Sequence, residues 1–156
     1  MKARPAVSFA LALFAFAGIT LSTEAEAAKT KLVSIGEIVS AAPQGKTKLD
    51  LVRSALEQEL DTIDWRKSTR MKPYVVSVSV VTLDTELTRD RVATTCVLST
   101  TVRSAKSGSV VAIVNQRVRA ENGPTYARAV EDGAIRAAAS AAVRKIPDAL
   151  RAKAGS

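Results

Sequence analysis

The chain predicts an α+β fold: a two-layer sandwich of one antiparallel sheet with two helices on one face. Three observations predict it. Between residues 74 and 120, three stretches alternate apolar side chains with Ser, Thr, Asn or Arg, the period-two signature of half-buried strands. Two other stretches, 47–64 and 126–146, space their apolar residues by three and four, as an amphipathic helix does. The links are short and polar. The order (β)αβββα therefore implies a three- to four-stranded meander covered on one side by both helices.

The first 27 residues read as an address rather than as structure. Lys2 and Arg4 precede the apolar run Phe9–Leu21, and Ala25-Glu26-Ala27 is an A-x-A cleavage signature, so residues 1–27 are expected to be a signal peptide. The apolar run is short for a membrane span, which needs about 20 residues. No cysteine lies near the cleavage site, so the exported protein is expected in the periplasm or outside the cell without a lipid anchor. There is no twin-arginine pair, which points to export before folding.

Residues 28–46 form an N-terminal segment in which the β-branched run after Leu32 reads as an edge strand, followed by a loop at Pro43 and Gly45. The single domain is expected over 47–150. In the first helix, 47–64, Leu49, Val52, Leu56, Leu60 and Ile63 share a face, and Thr47 with Asp50 suggests a capping box. Trp65 follows and closes one end of the core. Tyr74–Leu83 is the first strand of the meander, with Val76, Val78 and Val80 inward, and 84–90 a polar loop. Arg91–Arg103 is the second, with Val92, Cys96, Leu98 and Val102 inward and Thr95, Ser99 and Thr101 outward. A hairpin at Gly108 leads to the third, Val110–Ala120. There Val110, Ala112, Val114, Val118 and Ala120 are assigned to the core face, and Asn115, Arg117 and Arg119 to the outer face. The second helix, Tyr126–Ile146, carries a small-residue stripe of Val130, Ala134, Ala137, Ala138, Ala141 and Ala142, with Arg128, Asp132 and Arg136 spaced to pair on the opposite face. Pro147 is expected to end it, and 151–156 to be a frayed tail.

Composition narrows the chemistry. The 156 residues are 47% hydrophobic but only 4% aromatic, so the core must be aliphatic. There is no histidine, which removes the commonest general base and metal ligand, and the single cysteine, Cys96, rules out an internal disulfide. Its place on an apolar strand face reads as that of a small hydrophobe, with a reactive thiol or an intermolecular disulfide as the alternative. No phosphate-binding loop, nucleophile elbow or C-x-x-C is present, so no cofactor, metal or catalytic residue is assigned. Asp84, Glu86 and Asp90 lack calcium-loop spacing and read as solvated.

The formal charge is +8, and the leader removes two cations and two anions, leaving it unchanged. Four cations, Arg66, Lys67, Arg70 and Lys72, lie in one connector between Trp65 and Tyr74. With Arg117 and Arg119 on the strand face nearby in character, these eight residues are the candidate surface for an anion or a partner. Nucleic acid is disfavoured, because the outer strand faces show Ser, Thr and Asn where a base-stacking sheet would show aromatics.

From Tyr74 to Leu150, a hydrophobic strand (YVVSVSVVTL), a strand ending in a hairpin (VLSTTVRSAKSGSVVA) and an alanine-rich last helix (AIRAAASAAVRKIP) resemble a group of bacterial envelope domains. These are the curli-secretion lipoproteins, the lipoprotein activators of penicillin-binding proteins, and the N-terminal domain of the Tol-system propeller protein. The chain departs from them in lacking a lipidation cysteine after the leader and the extensions of the curli pore. The resemblance implies a periplasmic interaction domain; it transfers no particular partner and no site residues, and an envelope protein is the partner expected from the compartment. The expected function is a noncatalytic binding or assembly module of the cell envelope. The alternatives are direct binding of an anionic lipid head group or polymer through Trp65–Tyr74, and a minor hydrolase. The oligomeric state is left open.

Overall fold

The computed structural model describes residues 31–66 and 72–154. Six main elements follow one another: β1 (Val33–Ser40), α1 (Leu49–Asp61), β2 (Tyr74–Leu87), β3 (Val92–Ser104), β4 (Val110–Asn122) and α2 (Ala127–Ala154). The four strands form one sheet in the order β1-β2-β3-β4. The predicted meander is present, with β2–β3 and β3–β4 antiparallel. The edge strand β1 joins it in parallel with β2. That direction follows from the connection: α1 carries the chain back across the sheet before β2 begins, and a parallel pair needs such a crossover. The sheet is therefore mixed.

Both helices pack on the same face and on each other, α1 over β1 and α2 over β3 and β4. The core they enclose is mainly aliphatic, with Val52, Leu56, Val76, Val80, Leu98, Val102, Ile135, Val143 and Ile146 fully buried. Trp65 closes one end, half-buried against this core, its indole N–H donating to the Leu60 carbonyl at 2.8 Å.

Several local expectations change. The capping box does not form: residues 44–48 make a short 3-10 turn, in which the Thr47 hydroxyl donates to the Gln44 carbonyl at 3.1 Å, and α1 starts at Leu49. The tight approach of this turn to β1 leaves no room for a side chain at Gly45, where a Cβ would strike the Ser40 hydroxyl. Strand β2 runs on to Leu87, so Asp84 and Glu86 are strand residues rather than loop residues. Their strand pairs with β3 as far as Leu87–Val92, past a bulge at Val81. The extra residue resets the alternation so that Leu83, which would otherwise face out, turns into the core.

A second bulge lies at Val111, opposite the step from Val102 to Arg103. It leaves Val110 exposed rather than on the core face. In the hairpin before it, Gly108 adopts φ +69, as expected.

The last helix departs most. Pro147 sits inside α2, which continues to Ala154, so 151–154 is helical. Proline removes one backbone hydrogen bond, but Ile146 and Leu150 on either side are buried, and that anchorage holds the next turn in place. The buried stripe is Val130, Ala134, Ile135, Ala138, Ala139, Ala142, Val143 and Ile146; Ala137 is exposed and Ala141 half-buried. Asp132 does not close an Arg128–Arg136 ladder. It accepts from Lys48 Nζ at 2.8 Å, beside a Lys48–Glu131 pair at 3.1 Å, tying the 3-10 turn to α2.

A candidate interaction surface on the open sheet face

Among the described residues, the helices cover one face of the sheet and nothing covers the other. Strand register sets what that bare face displays. Val39, Ser79, Ser99 and Asn115 form one row across four strands, and Ser77, Thr101 and Ile113 the next across three. Thr82, Val97 and Arg117 continue the pattern toward one end. There Asp84, Thr95 and Arg119 come first, then Glu86, Ala93 and Glu121. The middle of the face is thus a field of hydroxyls about 4.8 Å apart across strands. Exposed Val39, Val81 and Ile113 border it. A shallow depression of about 190 Å³ lies over Ser77, Ser79, Ser99 and Thr101, with Glu37 and Arg103 on its rim.

The charged end of the face is neutralised internally. Arg119 Nε donates to Glu121 at 2.8 Å and Nη2 to Glu86 at 3.2 Å, while Arg91 reaches Glu121 at 3.3 Å. The hydrogen bond from Arg119, then the nearby Arg91 charge, holds the Glu121 carboxyl below its usual range. The same hydrogen bond, then the Glu86 charge, raises Arg119 above its own. Arg119, a predicted anion contact, is therefore already occupied. Arg117 is exposed on the same face with no partner among the described residues.

The basic connector is only partly described; Lys67 and Arg70 lie outside the described residues. Its two aromatics turn inward: Trp65 and Tyr74 are half-buried and pack on the core, so neither presents a full ring face to solvent. Arg66 and Lys72 are exposed. Lys72 shares a surface concavity with Pro73, Ser104, Lys106 and Ser107, which brings a hairpin lysine beside the connector. The sequence places these two lysines more than thirty residues apart, so only the fold joins them.

Cys96 is buried in β3, and burial pushes its thiol up to about 11, far from a reactive thiolate. Among the described residues, no three Cys, Asp or Glu side chains gather where a metal ion could be held, and no helix is long and apolar enough to cross a membrane.

No protein-family model and no curated protein matches the chain. Solved structures do. A Xanthomonas campestris protein of the DUF330 family aligns with TM-score 0.60 and 10% identity over 80% of this chain and 88% of its own. A minor lipoprotein from Acinetobacter baumannii aligns with TM-score 0.50 and 13% identity over 72% and 90%. PelC from Paraburkholderia phytofirmans, a dodecamer, aligns with TM-score 0.50 and 13% identity over 74% and 86%. What these proteins share with the chain is the fold.

Chemically, then, the surface offers hydrogen-bond donors and acceptors on a rigid support, bordered by apolar side chains. The strand alternation made its hydroxyls readable in advance. The same alternation sets Val81 in step with Ser79 and Ile113 in step with Asn115, on the outer face, whereas Val39 lies beyond the register shift in β1, where spacing does not tell the face.

Proposed function

We propose that this chain is a noncatalytic protein of the bacterial cell envelope that works by docking, through the open face of its sheet, onto another envelope protein. The observation that carries the reading is a helix-free sheet face with a hydroxyl centre and three exposed apolar side chains, Val39, Val81 and Ile113. The export-type leader sends the chain to the compartment in which such a partner resides. The likeness to a minor lipoprotein and to PelC fits the same compartment. It lends no support to the expectation of an unanchored protein.

The reading predicts that cells expressing the full chain place it in the envelope fraction, shortened at its N-terminus. It also predicts that a partner captured from that fraction with wild-type protein is lost with a Val39→Asp, Val81→Asp double variant that remains folded by circular dichroism. Capture that is equal for both proteins rejects the sheet face as the docking surface.

A second reading, binding of an anionic lipid or polymer, is favoured by Lys72 and Lys106 lining one concavity with Ser104 and Ser107. It is tested with vesicles containing phosphatidylglycerol. Binding that falls by at least tenfold between 50 and 200 mM salt (roughly the slope expected when several cations meet a polyanion), and that Lys72→Glu with Lys106→Glu removes, supports it. Binding indifferent to salt rejects it.

A further inference from the structure

We propose that two copies of this chain associate through the free edge of β4, pairing antiparallel about the middle of that strand, with α2 of one copy lying against α2 of the other. This goes beyond the docking reading above: it uses the edge of the sheet rather than its open face, the two meeting at Ile113 and Asn115.

The two ends of the sheet are not alike. At one end β1 is short, is interrupted by a register shift, and is flanked by α1 and by a Lys31–Asp61 ion pair at 3.3 Å. At the other end β4 has 13 residues and no proline, and its bulge at Val111 and its charged Arg117, Arg119 and Glu121 lie on either side of an uncharged, regularly paired stretch from Ala112 to Gln116. Two backbone hydrogen bonds fix which of its groups are unused among the described residues. Ala105 N–H donates to Pro73 on the β2 side, and Ser104 N–H to Ser109 on the β4 side. Alternation then turns the even-numbered β3 residues toward β4, and their even-numbered partners from Ala112 to Asn122 back toward β3. The N–H and C=O groups of Ile113, Asn115, Arg117 and Arg119 point to the open edge.

A second copy fits this edge because its charges do not collide. β4 is apolar in its first half and carries Arg117 and Arg119 in its second. A parallel partner in register would set arginine against arginine. An antiparallel partner centred on Asn115 or Gln116 sets Ile113 opposite Arg117 or Arg119 of the second copy, an aliphatic stem against an aliphatic side chain.

The helix layer agrees. A groove of about 400 Å³ runs between the β4 edge and α2, lined by Ile113, Asn115, Gln116, Lys145, Asp148 and Ala149. One and two turns before Lys145 on this flank come Ala141, half-buried, and Ala137, exposed, leaving room for a second helix to approach closely. A two-fold axis through the strand centre reverses the neighbouring helix. Asp148, which pairs with Arg151 on its own exposed helix face, then also meets Lys145 of the other copy, so the contact is self-complementary.

Sedimentation of the protein as purified after export tests this. The expected result is a reversible dimer at tens of micromolar. Asn115→Pro removes an N–H that serves only the edge, and Ala141→Arg fills the helix contact; each abolishes the dimer while circular dichroism stays that of the wild type. Lys145→Glu weakens it roughly tenfold, and adding Asp148→Lys restores it, since the swapped pair is again complementary. A monomer at every concentration up to about 1 mM overturns the proposal. So does a dimer or larger assembly that folded Asn115→Pro and Ala141→Arg leave intact.

Discussion

Thr100 carries the one buried side-chain polar atom that lacks a hydrogen-bond partner among the described residues. It lies on the inward face of β3, and its sheet neighbours on that face are Val78 and Val114. An unpaired buried hydroxyl costs about 1–3 kcal/mol, whereas valine has the same shape and no polar atom. Thr100→Val is therefore expected to raise stability by about 1 kcal/mol, read as a higher urea midpoint at unchanged slope. A lower midpoint would show that the hydroxyl is satisfied. Gly45 works in the opposite sense. A Cβ there meets Ser40, whose hydroxyl is held by a 2.7 Å bond to the Ala42 carbonyl. Gly45→Ala should cost about 1–3 kcal/mol, and less in a Ser40→Ala background, because the obstacle is then smaller. Equal costs in both backgrounds would place the strain elsewhere. Neither residue announces itself in the sequence: a threonine in an alternating strand and a glycine after a proline look ordinary until their neighbours are known.

At the scale of elements, α2 shows how packing selects among similar side chains. Eight alanines between Ala127 and Ala142 offer more than one small-residue stripe. The stripe chosen is the one that also buries Ile135, Val143 and Ile146, because aliphatic area outweighs alanine in what burial contributes. Ala138→Leu should accordingly cost about 1–3 kcal/mol by overpacking, while the exposed Ala137→Leu should be nearly neutral in thermal melts. The reverse order would mean the helix is rotated from the described position. The clamp between the 3-10 turn and α2 gives a pH signature. The hydrogen bond from Lys48 to Asp132, with burial opposing and Glu131 assisting, raises the Lys48 pKa above 10.5. A raised folded-state value means that the clamp contributes fully below the unfolded pKa and is lost as pH climbs through the folded one. Lys48→Met is expected to cost about 1 kcal/mol at pH 7, with the difference closing above pH 10.5. A gap that persists at high pH would assign the loss to the lysine stem's packing instead.

For the whole molecule, the sheet makes one unit of what the sequence reads as a domain preceded by a segment. Val33 is buried in the same core as Val76 and Leu56, and Ile35 and Ile38 pack against it. A chain shortened to begin at Thr47 loses β1, uncovers the edge of β2, and should melt without cooperativity; a sharp transition at the wild-type temperature would show that β1 is dispensable. By themselves the residues determined the α+β class, the meander, the helix faces of α1, the positive φ at Gly108 and the hydroxyl face, because each is a local periodicity or a local conformational need. Tertiary structure alone decided the parallel seat of β1, the two bulges, the passage of α2 through Pro147, the pairing of Arg119 with Glu86 and Glu121, and the meeting of Lys72 with Lys106. Each of these depends on which distant segment arrives beside it. Burial against that segment outweighs the local preferences of proline, valine or a free cation, and no spacing within one element records it.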